Sequence, residues 1–325
     1  MKTSTVPEGG ALEAPRRTLF QENWNQFKRN RLAMSGLVIF VIFFIIAAAG
    51  LLLTSGTDPI FDPALVRLQE KLRPPLSAPN FETLKPEEVP RFGIYLFGTD
   101  DLGRDVFSRM LQGAWVSLTV GFVAVGIAVV IGVMLGGIAG YYGNKRILNL
   151  ISVDGLIVGL IDIMLCFPSF FLILTVVALL PASIYNIMIV IGLTSWMGAA
   201  RFVRAEFLSL REQDFVTAAR ALGLSDLWII FRHMVPNAMA PVLVSATIGI
   251  AGAILTEAAL SFLGFGVPPP HATWGNILSN GKDFLFDAPW LTFIPGFAVL
   301  IVVLAFNLFG EGLRDVLNPK LRERH

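Results

Sequence analysis

Three carboxylates, Asp154, Asp162 and Glu257, stand in or beside long charge-poor stretches, and of all the side chains in the sequence they are best placed to do chemistry. A carboxylate in apolar surroundings can carry a proton, contact a charged cargo or bond a neighbouring helix. Asp154 and Asp162 are about 80° apart around a helix, so they share a face. Three acids with no basic residue in the same stretches make a poor proton relay. The favoured reading is a polar gate or packing contact at Asp162, an inner-interface position for Asp154 and a Glu257 near enough to an outer helix end to reach water. Other chemistry is sparse. His233, His271 and His325 are too scattered for a metal site, and His271, beside Pro268, Pro269 and Pro270, reads as a polar loop residue. Cys166 is alone, which excludes a disulfide within the chain, a CxxC motif and a cysteine zinc cage. The only Gly-Lys pair, Gly281-Lys282, is followed by Asp283, so no phosphate-binding loop can be drawn. The sequence thus predicts no catalytic residue, no bound cofactor and no metal.

The elements around these residues follow from the distribution of charge. The chain has 325 residues, 54% hydrophobic and 15% charged, with a mean hydropathy of +0.68. An average soluble protein is about 45–50% apolar and about 25% charged, so an ordinary soluble enzyme and a disordered chain are both excluded. Asp, Glu, Lys and Arg are absent between Arg31 and Asp58, Arg109 and Lys145, Asp162 and Arg201, His233 and Glu257, and Asp287 and Glu311. Each gap is long enough to cross a bilayer, which takes about 20 helical residues. Six transmembrane helices are predicted, at 33–53, 115–140, 148–180, 184–203, 237–260 and 291–312. The third would be about 50 Å long against a core of about 30 Å, and Pro168 is its natural break. A cleaved signal peptide at 37–53, with Ala47, Ala48 and Ala49 as the cleavage region, fits less well. Its apolar core is too long and starts too far into the chain.

Six spans place both termini on one side, and 17 of the 25 Lys and Arg fall there, from Lys2, Arg16, Arg17, Lys28, Arg29 and Arg31 to Arg314, Lys320, Arg322 and Arg324. Both termini are therefore expected in the cytoplasm. The predicted organisation is a cytoplasmic segment 1–32, a first span 33–53, an external loop 54–114 with an interfacial helix near Asp105–Gln112, a core of five spans over 115–312 that includes a cytoplasmic loop 204–236, and a tail 313–325. Trp115 and Trp290 fall at outer span ends, where indoles favour the interface. Gly132, Gly136 and Gly140, spaced by four, allow close helix packing, either within the subunit or against a partner.

The cytoplasmic loop carries the most local information. Ser209 and Glu212 have capping-box spacing, which predicts a helix start. Phe215, Ala218, Ala219 and Leu222 recur at helical spacing and form an apolar face. Gly223 can end that helix in the left-handed conformation, and Ser225 can cap a second short helix running to Pro236. A loop of this size between two spans cannot reach a major groove, so its helix–turn–helix look does not imply nucleic acid.

Thr217-Ala218-Ala219-x3-Gly223-x9-His233-x-Val235-Pro236 resembles the EAA loop of ATP-binding-cassette (ABC) importer permeases, with pattern Glu-Ala-Ala-x3-Gly-x9-Ile-x-Leu-Pro. Thr217, His233 and Val235 depart from that pattern. FGTDDLGRDVFSRML at 97–111, Tyr141-Tyr142-Gly143, Asp162 with Pro168, EAALSFLGFGVPPP from Glu257, Trp274-Gly275-Asn276 and AFNLFGEGLRDVLNPKLR from Ala305 are similar to the second permease subunit of dipeptide, oligopeptide and nickel importers. The resemblance spans Asn23 to Arg322. It implies an all-α polytopic membrane protein with type I ABC importer permease architecture, sited in a bacterial inner membrane. It further implies a homologous second permease, two ATPase subunits that bind ATP and Mg and dock on Phe215, Thr217, Ala218, Ala219, Leu222, Gly223, Asp226 and Pro236, and an external solute-binding protein that docks on 54–114 and 261–290. The lipid bilayer is a further implied partner. Peptides are the expected cargo, with nickel or a metal chelate as the alternative within the family. An ion-driven secondary transporter using Asp162 and Glu257 is the alternative from another class, although no internal repeat supports it.

Overall fold

The computed structural model describes residues 19–143, 145–147 and 151–317. Lys2, Arg16, Arg17, Lys320, Arg322 and Arg324, which bear on the orientation, lie outside the described residues. Within them the regular structure is almost wholly helical, in chain order α1 (Leu19–Arg29), α2 (Arg31–Thr54), α3 (Val106–Tyr142), α4 (Val153–Cys166), α5 (Ser169–Leu179), α6 (Ile184–Leu193), α7 (Trp196–Arg211), α8 (Asp214–Ala221), α9 (Asp226–Ile229), α10 (Val235–Phe262), α11 (Trp274–Gly281) and α12 (Trp290–Leu317). Strands β1 (Arg146–Ile147) and β2 (Ile151–Ser152) make a small antiparallel ladder. Five helical runs are long and apolar enough to cross a membrane: α2, α3, α6 with α7, α9 through α10, and α12. The sixth is α4 with α5, bent by 82° at Phe167–Pro168. Pro168 has no N–H to continue α4 and instead opens α5, its carbonyl accepting from Leu172 N at 3.2 Å.

Several boundaries differ from the sequence expectation. The third span starts at Val153, because Ile151 and Ser152 pair with β1 and the Ser152 hydroxyl accepts from Gly155 N at 2.9 Å, while the expected start at 148 lies outside the described residues. No separate interfacial helix lies at Asp105–Gln112. Asp105 caps α3 itself, accepting from Phe107 N at 3.3 Å and Ser108 N at 3.1 Å, so the second span begins at Val106 and runs for 37 residues. Ser209 and Glu212 form no capping box. The apolar face of α7 continues through buried Phe207 and Leu210, which carries the helix past Ser209 to Arg211 and makes Glu212 its C-cap. The second short helix of the loop does not stop at Pro236. A π-helical turn, Ile230–Met234, carries α9 into α10. Its wider winding makes room for the proline ring, which would crowd the preceding turn of an α-helix.

α3 is the central rod, packed against α2, α4, α6, α7, α10 and α11. A Cβ on Gly136 would sit 2.4 Å from the Ala200 carbonyl oxygen and 2.9 Å from Val203 Cβ, and one on Gly132 would sit 2.5 Å from Ala199 Cβ. The glycine ladder therefore packs within the subunit, against α7. Gly136→Val should drive α3 from α7 and destabilise the fold by about 1–3 kcal/mol or more. Thermal unfolding in detergent reads this out, with Gly126→Ala as a neutral control, since nothing lies within 4 Å of a Cβ there.

The ends of the first and last spans meet. Phe27 is buried edge-on against Phe309 with ring centroids 5.9 Å apart, and the Asn30 amide donates to Asp315 Oδ2 at 3.4 Å. At the opposite end, residues 55–105 have one short 3₁₀ turn, Leu68–Glu70, and are held by buried polar groups. Buried Asp100 accepts from Leu102 N and Arg104 N at 2.9 Å, from Arg104 Nε at 2.7 Å, and from buried Arg109. Trp290 Nε1 donates to Thr99 O at 3.2 Å, so this indole ties the outer segment to α12. Burial pushes the Tyr95 hydroxyl up to about 12 against the pull of the Arg67 guanidinium. Burial likewise holds the Asp105 carboxyl above the usual carboxylate range although Ser108 and Phe107 donate to it.

Candidate functional site

The loop between α7 and α10 folds as a two-faced element at the end that the basic residues assign to the cytoplasm. Val216 and Ala219 of α8 are buried with Phe207, Leu210, Ile229 and Met234. Phe215, Ala218 and Leu222 point away from this core, Leu222 with 81% of its surface exposed. The predicted apolar face is thus divided: Ala219 belongs to the inner side with Val216, and the other three form an outward face. The i, i+3 spacing of Val216 and Ala219 is the sequence signal for that inner side.

Gly223 closes α8 at φ +77°, with Leu224 N donating to Ala219 O at 3.2 Å and Gly223 N to Arg220 O at 2.9 Å. This is a Schellman closure, which a residue with a Cβ adopts only under strain. The Ser225 hydroxyl then accepts from Trp228 N at 3.4 Å and starts α9. His233 sets its ring edge-on to Trp228, centroids 4.9 Å apart, and lies 6.1 Å from Phe215. Thr217, exposed, donates its hydroxyl to Gln213 O at 3.3 Å. Pro236 lies in the first turn of α10.

This element is tied to α3 from behind. Tyr141 Oη donates to Asp226 Oδ1 at 2.7 Å, Lys145 Nζ lies 4.0 Å from Asp226 Oδ2, and the Arg220 guanidinium stands 5.0 Å over the Tyr141 ring. α8 thus meets the end of α3 through the Arg220 guanidinium on the Tyr141 ring, α9 meets it through the Asp226 hydrogen bond, and the π turn joins α9 to α10.

The membrane acids have partners, contrary to the expectation that the charge-poor stretches offer none. Arg204 donates through both Nε and Nη2 to Asp154, at 2.5 and 2.6 Å, and Arg201 Nη2 donates to Asp162 Oδ1 at 2.8 Å. The two arginines close the charge-poor gap at its α7 end, and folding lays that end beside α4. Glu257 does not reach water. It is fully buried and accepts from Ser261 Oγ at 2.7 Å and Ser117 Oγ at 3.3 Å, because α11 folds over the end of α10. Trp274 N, opening α11, donates to the same Ser117 hydroxyl at 3.4 Å, so this knot joins α3, α10 and α11. Tyr141, Arg201, Arg204 and Ser117 are the site residues that sequence reasoning missed. No group of three or more His, Cys, Asp or Glu able to hold a metal is found among the described residues, and His271 is exposed.

A family described as "Binding-protein-dependent transport system inner membrane component" matches residues 128–323, and one described as the N-terminal TM domain of oligopeptide transport permease C matches 18–75. The chain is 42% identical over 303 residues to a dipeptide transport system permease protein of Alkalihalophilus pseudofirmus, covering 93% of this chain and 90% of that one. It is 36% identical over 306 residues to an oligopeptide transport system permease protein of Bacillus subtilis, covering 94% and 91%. Among solved structures, an inward-facing form of the MetNI methionine ABC transporter is similar at 18% identity and a TM-score of 0.48, over 65% of this chain and 97% of that one.

Proposed function

Because this chain belongs to the family of inner-membrane components of binding-protein-dependent transport systems, we propose that it forms half of the translocation pathway of an ATP-driven importer of di- or oligopeptides. It pairs with a homologous permease, receives cargo from an external solute-binding protein at 54–114 and 261–290, and sits in lipid through its six spans. ATP and Mg are held by two partner ATPase subunits. Hydrolysis falls to those subunits, and this chain passes their closure to the pathway.

The observation that carries the reading is the outward face of α8. Phe215, Ala218 and Leu222 are exposed apolar side chains on a helix locked from behind to α3 and α10. Such a face suits a groove on a partner, and its rigid backing suits transmission of that partner's closure. Thr217, Gly223, Asp226 and Pro236 shape or flank the same element. Peptides are favoured over nickel by the names of relatives at 36–42% identity. An ion-driven mechanism is disfavoured because Asp162 and Asp154 are engaged by arginines and Glu257 by hydroxyls.

Pull-down of the tagged chain in mild detergent, with ATPase assay of the recovered complex, tests the reading. A second permease and nucleotide-binding subunits should co-purify, with ATPase activity raised by a peptide-loaded binding protein. Recovery of a stable chain alone, with proton-coupled transport in vesicles lacking ATP, would overturn it. Tyr141→Phe keeps the ring and removes the hydrogen bond to Asp226, worth about 1 kcal/mol. Peptide uptake should fall about fivefold while the ATPase subunits stay bound, a separation readable from uptake and co-purification on one preparation.

A further inference from the structure

Two ion pairs join α4 to α7, and they differ in kind. Asp154 takes both Nε and Nη2 of Arg204, with the two side chains 26% and 30% exposed. Asp162 takes a single N–H of Arg201, and these side chains are 59% and 55% exposed. Asp162 and Arg201 each lie about 15 Å inside the inner ends of their helices. A charge facing hydrocarbon at such depth costs at least about 2.5 kcal/mol. The exposed side of the open pair is therefore directed at water or at a partner subunit and not at hydrocarbon.

The surroundings agree with a water-facing wall. Gly198, Arg201, Phe202 and Ala205 share the exposed face of α7, between α4, which carries Asp162, and α10. A cavity of about 280 Å³ opens beside that face between α3, α7 and α10, lined by Ser195 just before α7, Gly198 of α7, Ser245 and Thr256 of α10 and the apolar Val125 and Val129 of α3. Its size is at the lower end for small-molecule pockets, about 300–1,000 Å³, and its lining is small and in part hydroxylated. Past Asp162 the span bends by 82° at Pro168, so α5 turns away and leaves the pair uncovered.

We propose that Asp162 and Arg201 form a charged station in the translocation pathway that engages the ionised groups of peptide cargo, Arg201 its terminal and side-chain carboxylates and Asp162 its terminal and side-chain ammonium groups. At neutral pH both peptide termini are ionised, with pKa values of about 8 and about 3.5. A cargo bringing one charge of each sign can exchange partners with the pair without leaving a bare charge. The one-point contact between Arg201 and Asp162 makes that exchange easier than at Arg204, whose two-point contact holds α4 in place. The proposal rests on the peptide-importer reading.

The test uses the complete complex in proteoliposomes with its binding protein saturated by Ala-Glu or Ala-Lys. ATP-dependent uptake of either peptide by the unaltered complex checks the importer reading separately. Arg201→Gln should raise the ratio of Ala-Lys to Ala-Glu uptake about fivefold, and Asp162→Asn should lower it to a similar extent. Equal changes for the two peptides in both variants would mean a structural pair only and would overturn the proposal. In case these variants do not assemble, Gly198→Cys and Ala205→Cys in a Cys166→Ser background probe the wall directly. A water-soluble thiosulfonate should modify both, more slowly with loaded binding protein and ATP present, and should leave Ile45→Cys on α2 untouched. Positions 198 and 205 as inert as 45 would place the wall against lipid or a partner and overturn the proposal.

Discussion

Phe215→Asp combined with Leu222→Asp is expected to leave the chain folded in the membrane and to lower ATP-driven peptide uptake about a hundredfold or more. Phe215 on α8 and Leu222 at its C-cap are both exposed, and neither contributes to the buried cluster around Val216, Phe207 and Met234. Removing them therefore takes little from the fold beyond the contact of the Phe215 ring with His233. An apolar anchor buried at the centre of an interface contributes about 2 kcal/mol or more, and replacing two with carboxylates adds the penalty of desolvating charge. Loss of ATPase subunits from the detergent-purified chain, at unchanged chain yield, is the direct readout. Undiminished capture would remove α8 from the coupling role. Val216→Asp gives the contrast: at 0% exposure it should lower the yield of folded chain itself.

The second large effect is expected at the other end of the molecule. Arg109→Ala leaves Asp100, fully buried, without one of its two guanidinium partners while Arg104 remains. Breaking a buried pair from one side costs about 3–5 kcal/mol, because the remaining charge has lost its compensation. The thermal transition in detergent should drop sharply, and residues 55–105 should become sensitive to protease before the spans do. Adding Asp100→Asn should recover part of the loss, since the amide oxygen can still accept from Leu102 N and Arg104 N. Equal stability of Arg109→Ala and the native chain would show that Arg104 alone suffices.

Much of the architecture was legible in the charge gaps, because a segment without Asp, Glu, Lys or Arg over such a length has few places to fold except lipid. The break at Pro168 and the left-handed turn at Gly223 were legible for a local reason: a missing N–H and a missing Cβ restrict the backbone whatever surrounds them. What could not be read depended on neighbours remote in sequence. The Ser209–Glu212 spacing is a valid helix start taken alone, and it loses to the face through Phe207 and Leu210 that α7 buries against the rest of the fold. Glu257 looked solvated because nothing in its own helix predicts that α11 will cover it. Arg201 and Arg204 were counted with the cytoplasmic basic residues, yet α4 runs beside them and gives both a carboxylate. The outward face of α8 was half legible, since periodicity marks apolar residues and does not say which of them a partner will cover.

α3 reaches both polar ends of the molecule, with Arg109 and Ser117 in the outer knots and Tyr141 in the inner one. α10 and α12 contain Pro241 and Pro295, but α3 has no proline in its 37 residues, which makes it a rod about 55 Å long. Mechanically it is a lever. A tilt of roughly 5° about one end sweeps the other by about 5 Å over that length, close to one helical turn. On the importer reading proposed above, a small rocking of the inner end would carry that displacement to the outer knots around Arg109 and Ser117 in a single stroke, with the glycine-lined contact on α7 lying close to the inner end.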